Sequence, residues 1–188
     1  DAQVPRDTWL GGWSLGGLLA GRLAARRGKA CRGLIGIASN PSFQQRDDWP
    51  AGMPAETLAA FRQGFAADPP ATLQRFDLLV SQGDSTQRTL RRHLQGVRGS
   101  ADGAQLAAGL DCLARLDGRA ALGAWQGPHL QVFAAQDALV PVAAAHATRR
   151  LLPQARIEII DAASHAAPFS HAAQVAESVW EFIRESAQ

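Results

Sequence analysis

Residues 12–16 read Gly-Trp-Ser-Leu-Gly, a serine flanked by glycines two positions away on each side. A serine hydroxyl is a weak nucleophile, and it needs a general base that a carboxylate holds in place. Gly12 and Gly16 are expected to leave room for the sharp turn that would expose Ser14. The same pattern also fits a glycine-rich turn whose serine caps a helix. The pentapeptide alone therefore leaves both interpretations open.

Two further residues could complete a catalytic triad. Asp137 follows the apolar segment 129–135 by two residues, and His165 follows the apolar segment 156–160 by five residues. Each of them alone also fits an ordinary loop residue. The chain order serine, aspartate, histidine is the order found in strand–turn–helix serine hydrolases. The three together predict nucleophile Ser14, orienting acid Asp137 and general base His165.

Other acids and histidines are weaker candidates for these roles. Asp161 lies too close in sequence to His165 to be its usual orienting acid. His171 opens the last predicted helix and is expected at the solvent or at the rim of the site. His93, His129 and His146 fall within predicted elements rather than in loops after strands.

Hydrophobic periodicity predicts the elements that position these residues. Apolar runs alternate with helical patterns, which favours an α/β fold with a parallel sheet. Such sheets bind ligands beyond the carboxyl ends of their strands. A helical stretch with no convincing strand interrupts the alternation. The predicted strands are 7–13, 31–38, 129–135 and 156–160, the helices are 14–27, 142–152 and 171–186, and the insertion 41–125 has helices at 54–66, 70–81, 85–95 and 102–115.

Composition excludes several classes of protein. The 188 residues include 46% hydrophobic and 19% charged residues, as a globular domain does, and no 18-residue apolar run is present. A net charge of +2 argues against a dedicated nucleic-acid binder. Cys31 and Cys112 are too few and too far apart for a disulfide framework, and no metal-binding motif occurs. We expect no metal and no cofactor.

The sequence resembles the α/β-hydrolase family, and within it the esterases that hydrolyse the methyl ester of a pimeloyl chain on acyl carrier protein in biotin synthesis. The similar stretches are Gly-Trp-Ser-Leu-Gly-Gly at 12–17, Ile-Ala-Ser-Asn-Pro-Ser-Phe at 37–43, Arg-Asp-Asp-Trp-Pro at 46–50, Gln-Arg-Phe at 74–76, Asp-Ala-Leu-Val-Pro at 137–141 and Ala-Ser-His-Ala-Ala-Pro-Phe-Ser-His at 163–171. They span nearly the whole chain. The resemblance implies a serine esterase without a cofactor. It makes 1–40 and 126–188 the hydrolase core and 41–125 a helical lid.

The resemblance also implies roles for individual residues. The backbone N–H of Leu15 would contribute to the oxyanion hole, and Trp13, Phe76, Leu79 and Val80 would contact the substrate. Phe76 also fits plain lid core. Asp77 stands where the family pattern has an apolar residue. We expect either that it faces outwards or that the acyl channel differs here.

Arginines on the lid suggest a partner. Arg88, Arg91 and Arg92 share one helical face, and no acid occurs between Asp84 and Asp102. A solvated helix face fits this pattern equally well. By resemblance, Arg75, Arg88 and Arg92 would dock an acidic acyl carrier protein and its phosphopantetheine phosphate.

One departure from the family pattern weakens the docking prediction. An arginine that the family has one turn before Arg75 is Ala71 here.

Further expectations follow from the resemblance and from missing signals. The family has strands and a helix before the turn that carries the nucleophile, the elbow, which is residues 12–16 here, and this chain has a short segment before it. We therefore expect the chain alone to be the C-terminal part of the fold, to fold poorly and to be weakly active, since loss of one oxyanion donor costs about 10²–10³ in rate. With no leader and no membrane span, the complete enzyme is expected to be a cytoplasmic monomer that binds neither nucleic acid nor membrane.

Other functions stay open at this level. The same triad would serve a general esterase, a lactonase or a C–C hydrolase with a lid. A hydrolase-like protein that uses the pocket only to bind a ligand is a further possibility.

Overall fold

The computed structural model describes residues 1–97 and 102–187. A 3₁₀ turn at Gly28–Ala30 joins α1 to β2. In chain order the other elements are β1 (Thr8–Trp13), α1 (Leu15–Arg27), β2 (Cys31–Ile37), α2 (Ala55–Ala67), α3 (Pro69–Ser81), α4 (Gln87–Val97), α5 (Gly103–Arg115), α6 (Arg119–Ala124), β3 (His129–Ala134), α7 (Ala143–Leu151), β4 (Arg156–Ile160), α8 (Ala167–Ser170) and α9 (Ala172–Glu185).

The four strands form one parallel sheet in the order β1-β2-β3-β4. Gly12 of β1 pairs with Gly36 of β2, which pairs in turn with Gln131 of β3. Because the strands are parallel and in sequence order, the segments that follow them lie at one edge of the sheet. Ser14, Asp137 and His165 therefore belong to loops at this carboxyl edge, as the sequence predicts.

The predicted α/β architecture is confirmed, with small differences at the ends of elements. Every predicted strand and helix is present, and the bounds of β4 match the prediction fully. Two short helices, α6 and α8, were not predicted. They have six and four residues, too few to show a helical hydrophobic period.

Apolar side chains cover both faces of the sheet. On one face Leu130, Val132 and Ile160 pack with Val175 and Phe182 of α9. On the other face a larger cluster holds α7 and the helices that follow β2. These segments thus share one hydrophobic cluster rather than forming separate cores. Its buried members from the insertion are Phe43, Trp49, Ala51, Leu58, Val80, Leu90 and Leu94.

Polar contacts fix the irregular segment after β2. The buried Asn40 side chain donates to the Ala51 carbonyl at 2.8 Å and accepts from the Trp49 indole N–H at 3.0 Å. Arg119 lies over the Trp49 ring and forms an ion pair with Asp48 at 3.0 Å. The Arg-Asp-Asp-Trp-Pro motif at 46–50 therefore ties this loop to α6.

In the ranges 1–97 and 102–187, no helix is long and apolar enough to cross a membrane. The same residues contain no group of three metal-ligating side chains. Cys31 is buried and Cys112 half-buried, and both are free thiols.

Candidate active site

Ser14 lies on a strained turn between β1 and α1. Its backbone has φ 55° and ψ −123°, a region that residues other than glycine rarely adopt. The Ser14 N–H donates to the Ile37 carbonyl at 2.8 Å, and the Ser14 carbonyl accepts from the Gly17 N–H at 3.0 Å. These contacts hold the turn in place. Leu15 is the first residue of α1, so its N–H has no acceptor within that helix.

Two glycines give this turn its space. A Cβ on Gly12 would overlap the backbone of Gly16 and Gly17, and a Cβ on Gly17 would lie 2.7 Å from the Ser39 side chain. A Cβ on Gly16 would meet no heavy atom within 4 Å. The expectation for Gly12 is confirmed, but the one for Gly16 is wrong. Gly17 is the second glycine the turn needs, because α1 packs there against Ser39.

Asp137 and His165 form a buried pair. His165 Nδ1 lies 2.7 Å from Asp137 Oδ2, and neither side chain has exposed surface. Asp137 Oδ1 accepts the backbone N–H groups of Leu139 and Val140, each at 2.8 Å. With one oxygen held by the loop after β3, the other is fixed toward the imidazole. This is the arrangement that orients a catalytic histidine.

The second nitrogen of His165 is unpaired. Its Nε2 is buried and has no hydrogen-bond partner among the described residues, so it makes no hydrogen bond with the Ser14 hydroxyl. The Trp13 indole N–H donates to the His165 carbonyl at 2.8 Å, and the two rings lie 5.4 Å apart. Trp13 thus links the elbow to the histidine loop. Hydrogen bonds of a catalytic site are often long before substrate binds.

The alternative acids and histidines lie elsewhere. Asp161 is exposed, and His171 is half-buried with Nδ1 3.9 Å from Asp84 Oδ2. His93 and His146 are exposed on α4 and α7. The structure thus brings Asp137, and not Asp161, to His165.

A cavity of about 400 Å³ opens at Ser14. Such a volume suits a small-molecule ligand. A smaller cavity of about 50 Å³ shares part of its wall and extends toward Met53, Thr57 and Arg75. The lining of the larger cavity is mostly apolar and combines the elbow with the insertion: Trp13, Ser14, Leu15, Phe43, Phe61, Phe65, Leu73, Phe76, Gln105, Leu106, Gly109, Leu110, Leu113 and Leu139.

The residues predicted to contact substrate lie in different places. Trp13 and Phe76 line the larger cavity, and Leu79 lines the smaller one. Val80 is 1% exposed and lines neither, because it lies one turn beyond Phe76 on the same face of α3 and packs within the hydrophobic core cluster. Asp77 is also buried, which excludes the first of the two alternatives, that it faces outwards. It is absent from both cavity walls.

The arginine positions are exposed. Arg75 on α3 and Arg88 and Arg92 on α4 are open to solvent, whereas Leu90 and Leu94 are buried beneath α4. The predicted division of this helix into an arginine face and an apolar face is confirmed.

Sequence reasoning missed the contribution of α5 to the cavity. Leu106, Gly109, Leu110 and Leu113 line it at helical spacing, together with Gln105. This spacing was visible in the sequence. The sequence did not show that this face of α5 lines the cavity, because that depends on the direction in which α5 packs over the elbow.

Comparison with known proteins agrees with this geometry. The model of the alpha/beta hydrolase family matches residues 1–178. The chain belongs to the α/β-hydrolase family. Among solved structures, this α/β hydrolase is similar in fold to a bromoperoxidase from Bacillus anthracis, with TM-score 0.85 and 19% identity over 96% of this chain and 68% of that one. An esterase from Exiguobacterium antarcticum gives TM-score 0.85 and 20% identity, over 95% and 67%.

Curated relatives of this α/β hydrolase are closer in sequence. The biotin biosynthesis bifunctional protein BioHC of Cellvibrio japonicus is 39% identical over 97% of this chain, which spans 36% of that protein. The pimeloyl-[acyl-carrier protein] methyl ester esterase of Aromatoleum aromaticum is 37% identical over 97% of this chain and 76% of the relative. The chain thus spans about a third of the bifunctional relative and three quarters of the esterase.

Proposed function

We propose that this α/β hydrolase is a serine carboxylesterase with Ser14 as nucleophile, His165 as general base and Asp137 as orienting acid. One observation carries the proposal. His165 is held through Nδ1 by a buried carboxylate while its Nε2 is left unpaired beside the segment that carries Ser14. A buried polar nitrogen without a partner is costly, and a proton-transfer role accounts for it.

The proposed reaction has two halves. Ser14 Oγ attacks the ester carbonyl carbon while its proton passes to His165 Nε2. The Leu15 N–H donates to the resulting oxyanion. When the tetrahedral intermediate collapses, His165 returns the proton to the leaving alkoxide, and an alcohol departs. Water then gives a proton to His165 and attacks the acyl carbon. The bond from the acyl carbon to Ser14 Oγ breaks as His165 returns the proton to Oγ, which frees Ser14 and a carboxylic acid.

The substrate we infer is a methyl ester on an acyl chain carried by acyl carrier protein, which would release methanol. Its support is the apolar cavity at Ser14 together with relatives named for this substrate. The acyl chain would lie between Trp13 and Phe76, with Leu79 further along. Residues 41–125 would act as the lid and 1–40 with 126–188 as the core.

The carrier would dock on the arginine face of the lid. Arg75, Arg88 and Arg92 are exposed, and Arg75 also lines the smaller cavity. Guanidinium groups pair well with carboxylates and with phosphate, the groups that an acyl carrier protein presents. Such contacts act mainly on association with a charged partner.

The experiment compares two substrates. Hydrolysis of a methyl pimeloyl group on acyl carrier protein and of a free short-chain ester is measured for wild type, Ser14→Ala and Arg88→Ala/Arg92→Ala. Ser14→Ala should lose both activities. The arginine variant should lose at least about tenfold in kcat/KM on the carrier substrate alone.

Arg22→Ala/Arg150→Ala is the matched control, since both arginines are exposed on α1 and α7 outside the insertion. Equal, small effects on both substrates would indicate a general esterase or lactonase. Absence of hydrolysis, together with a Ser14 that a fluorophosphonate does not label, would indicate a ligand-binding protein instead.

A further inference from the structure

Asp84 is a buried carboxylate in the turn between α3 and α4. Its side chain has no exposed surface. Burial by itself would raise the pKa of Asp84. Hydrogen bonds from Ser170 and Thr86 and the nearby His171 outweigh burial and lower it. A charged carboxylate is therefore kept inside the protein, where it needs partners for both oxygens.

The two oxygens of Asp84 serve different segments. Oδ1 accepts the Thr86 N–H at 2.9 Å and the Thr86 hydroxyl at 2.7 Å, within its own turn. Oδ2 accepts the Ser164 hydroxyl at 3.4 Å and lies 3.9 Å from His171 Nδ1. Ser164 directly precedes His165, and His171 follows it by six residues. One carboxylate oxygen thus contacts the chain on both sides of His165.

Backbone groups at the end of α3 and in the turn after it contact the loop that carries Asp137 and the loop that carries His165. The Val80 carbonyl accepts the Ala166 N–H at 3.2 Å, one residue after His165. Gly83 has φ 85°, and a Cβ on it would lie 2.8 Å from the Gln136 side chain. Gln136 directly precedes Asp137. The turn therefore packs against the neighbours of both residues, and among the described residues it makes no hydrogen bond to Asp137 or His165 themselves.

We propose that Asp84 is a positioning residue: from the insertion, its Oδ2 holds the Ser164–His171 segment so that His165 keeps the place in which Asp137 orients it. The inference rests on the proposed function and extends it. A triad histidine on a loop needs support beyond its carboxylate partner, because a displacement of about 1 Å costs up to about 100-fold in rate. Ser164 and His171 supply the points of attachment.

The test uses Asp84→Asn in the full chain. Asparagine keeps the size of the side chain and one acceptor for Thr86, but its amide nitrogen cannot accept from Ser164. We expect kcat and the rate of fluorophosphonate labelling of Ser14 to fall about 10- to 100-fold with KM nearly unchanged. The low-field proton resonance of the Asp137–His165 hydrogen bond should shift or broaden, which mere loss of stability in a folded sample would not cause.

Asp68→Asn is the matched control. Asp68 is an exposed acid that caps α3 by accepting the Ala71 N–H at 3.0 Å, in the same insertion but without a contact to the histidine segment among the described residues. It should change melting temperature slightly and leave kcat and labelling unaltered.

A double-mutant cycle adds Ser164→Ala. If Asp84 acts through Ser164, the single variants should each slow labelling and the double variant should be no slower than Asp84→Asn. Additive effects, or rates that fall only with the unfolded fraction, would overturn the inference. If wild type hydrolyses ester while Asp84→Asn matches it, only this inference fails. If wild-type Ser14 is not labelled at all, the proposed function fails and this inference with it.

Discussion

A histidine is buried at each of the two edges of the sheet, and the two histidines have different hydrogen-bond partners. At the carboxyl edge His165 faces the carboxylate of Asp137 at 2.7 Å. At the amino edge His129, the first residue of β3, is 5% exposed and accepts from the Gln131 amide at 2.9 Å. Burial lowers the pKa of His129 to about 4.

The hydrogen-bond partner of each histidine determines whether a positive charge on its ring would be compensated. A carboxylate compensates the positive charge that an imidazole gains when it takes a proton, and a neutral amide does not. In the proposed mechanism, His165 is therefore the histidine that exchanges a proton. His129 is placed to remain neutral and to fill space. Burial of a histidine alone does not indicate catalysis. The group that is hydrogen-bonded to the imidazole ring is more informative.

The largest expected effect comes from replacing the carboxylate partner of His165 with an amide, which is the kind of partner that His129 has. Asp137→Asn should lower kcat about 10⁴-fold, because the imidazole loses both its orientation and its compensating charge. Ester hydrolysis and urea unfolding are measured together. Asp161→Asn, an exposed acid after β4, is the control and should keep full activity. A variant of Asp137 that retains more than a tenth of the wild-type kcat would contradict the assignment.

A second difference concerns the glycines paired across β1 and β2. A Cβ on Gly12 would overlap the backbone of Gly16 and Gly17, whereas the atoms nearest to a Cβ on Gly36 are those at the end of the Gln131 side chain. Backbone cannot move away as a side chain can. Gly12→Ala should lower the free energy of unfolding by about 3 kcal/mol or more, and Gly36→Ala by about 1 kcal/mol.

Urea unfolding measures both glycine variants. Gly16→Ala serves as their control, since its Cβ has open space, and it should be neutral or stabilising. Equal losses for Gly12→Ala and Gly16→Ala would show that the elbow is less crowded than described.

An effect smaller than that of Gly12→Ala is a pH dependence of stability that arises at the amino edge. The folded-state pKa of His129 of about 4 lies below the value of about 6.5 for an unfolded chain, so the unfolded state binds a proton first. The stabilisation is complete above pH 6.5 and is lost as pH falls toward 4. Between pH 7 and pH 5 the loss is about 2 kcal/mol.

Urea unfolding at several pH values tests this contribution. His129→Gln should remove that part of the pH dependence and leave kcat at neutral pH unchanged. His146→Gln, at an exposed position on α7, should keep the wild-type slope. A wild-type slope in His129→Gln would assign the acid sensitivity to other groups.

Sequence reasoning reached most of the fold because the relevant signals are local. Continuous apolar runs identify β2 and β3, and the alternation with helices implies a parallel sheet. In such a sheet the loops after β1, β3 and β4 must share an edge, so Ser14, Asp137 and His165 could be grouped before any coordinates. Local patterns could not say which residues of one helical face line a cavity and which lie in the core, as Phe76 and Val80 of α3 show.

The sequence by itself determined the order of elements, the elbow and the triad candidates, since each depends on residues close together in the chain or on strand direction. Tertiary structure alone decided that Gly17 and not Gly16 is crowded, that α5 lines the cavity, and that Asp84 reaches Ser164, 80 residues away. It also showed that His165 faces the Asp137 carboxylate whereas His129 faces the Gln131 amide. The physical reason is that side-chain direction and burial depend on what packs from distant segments, which no local pattern specifies.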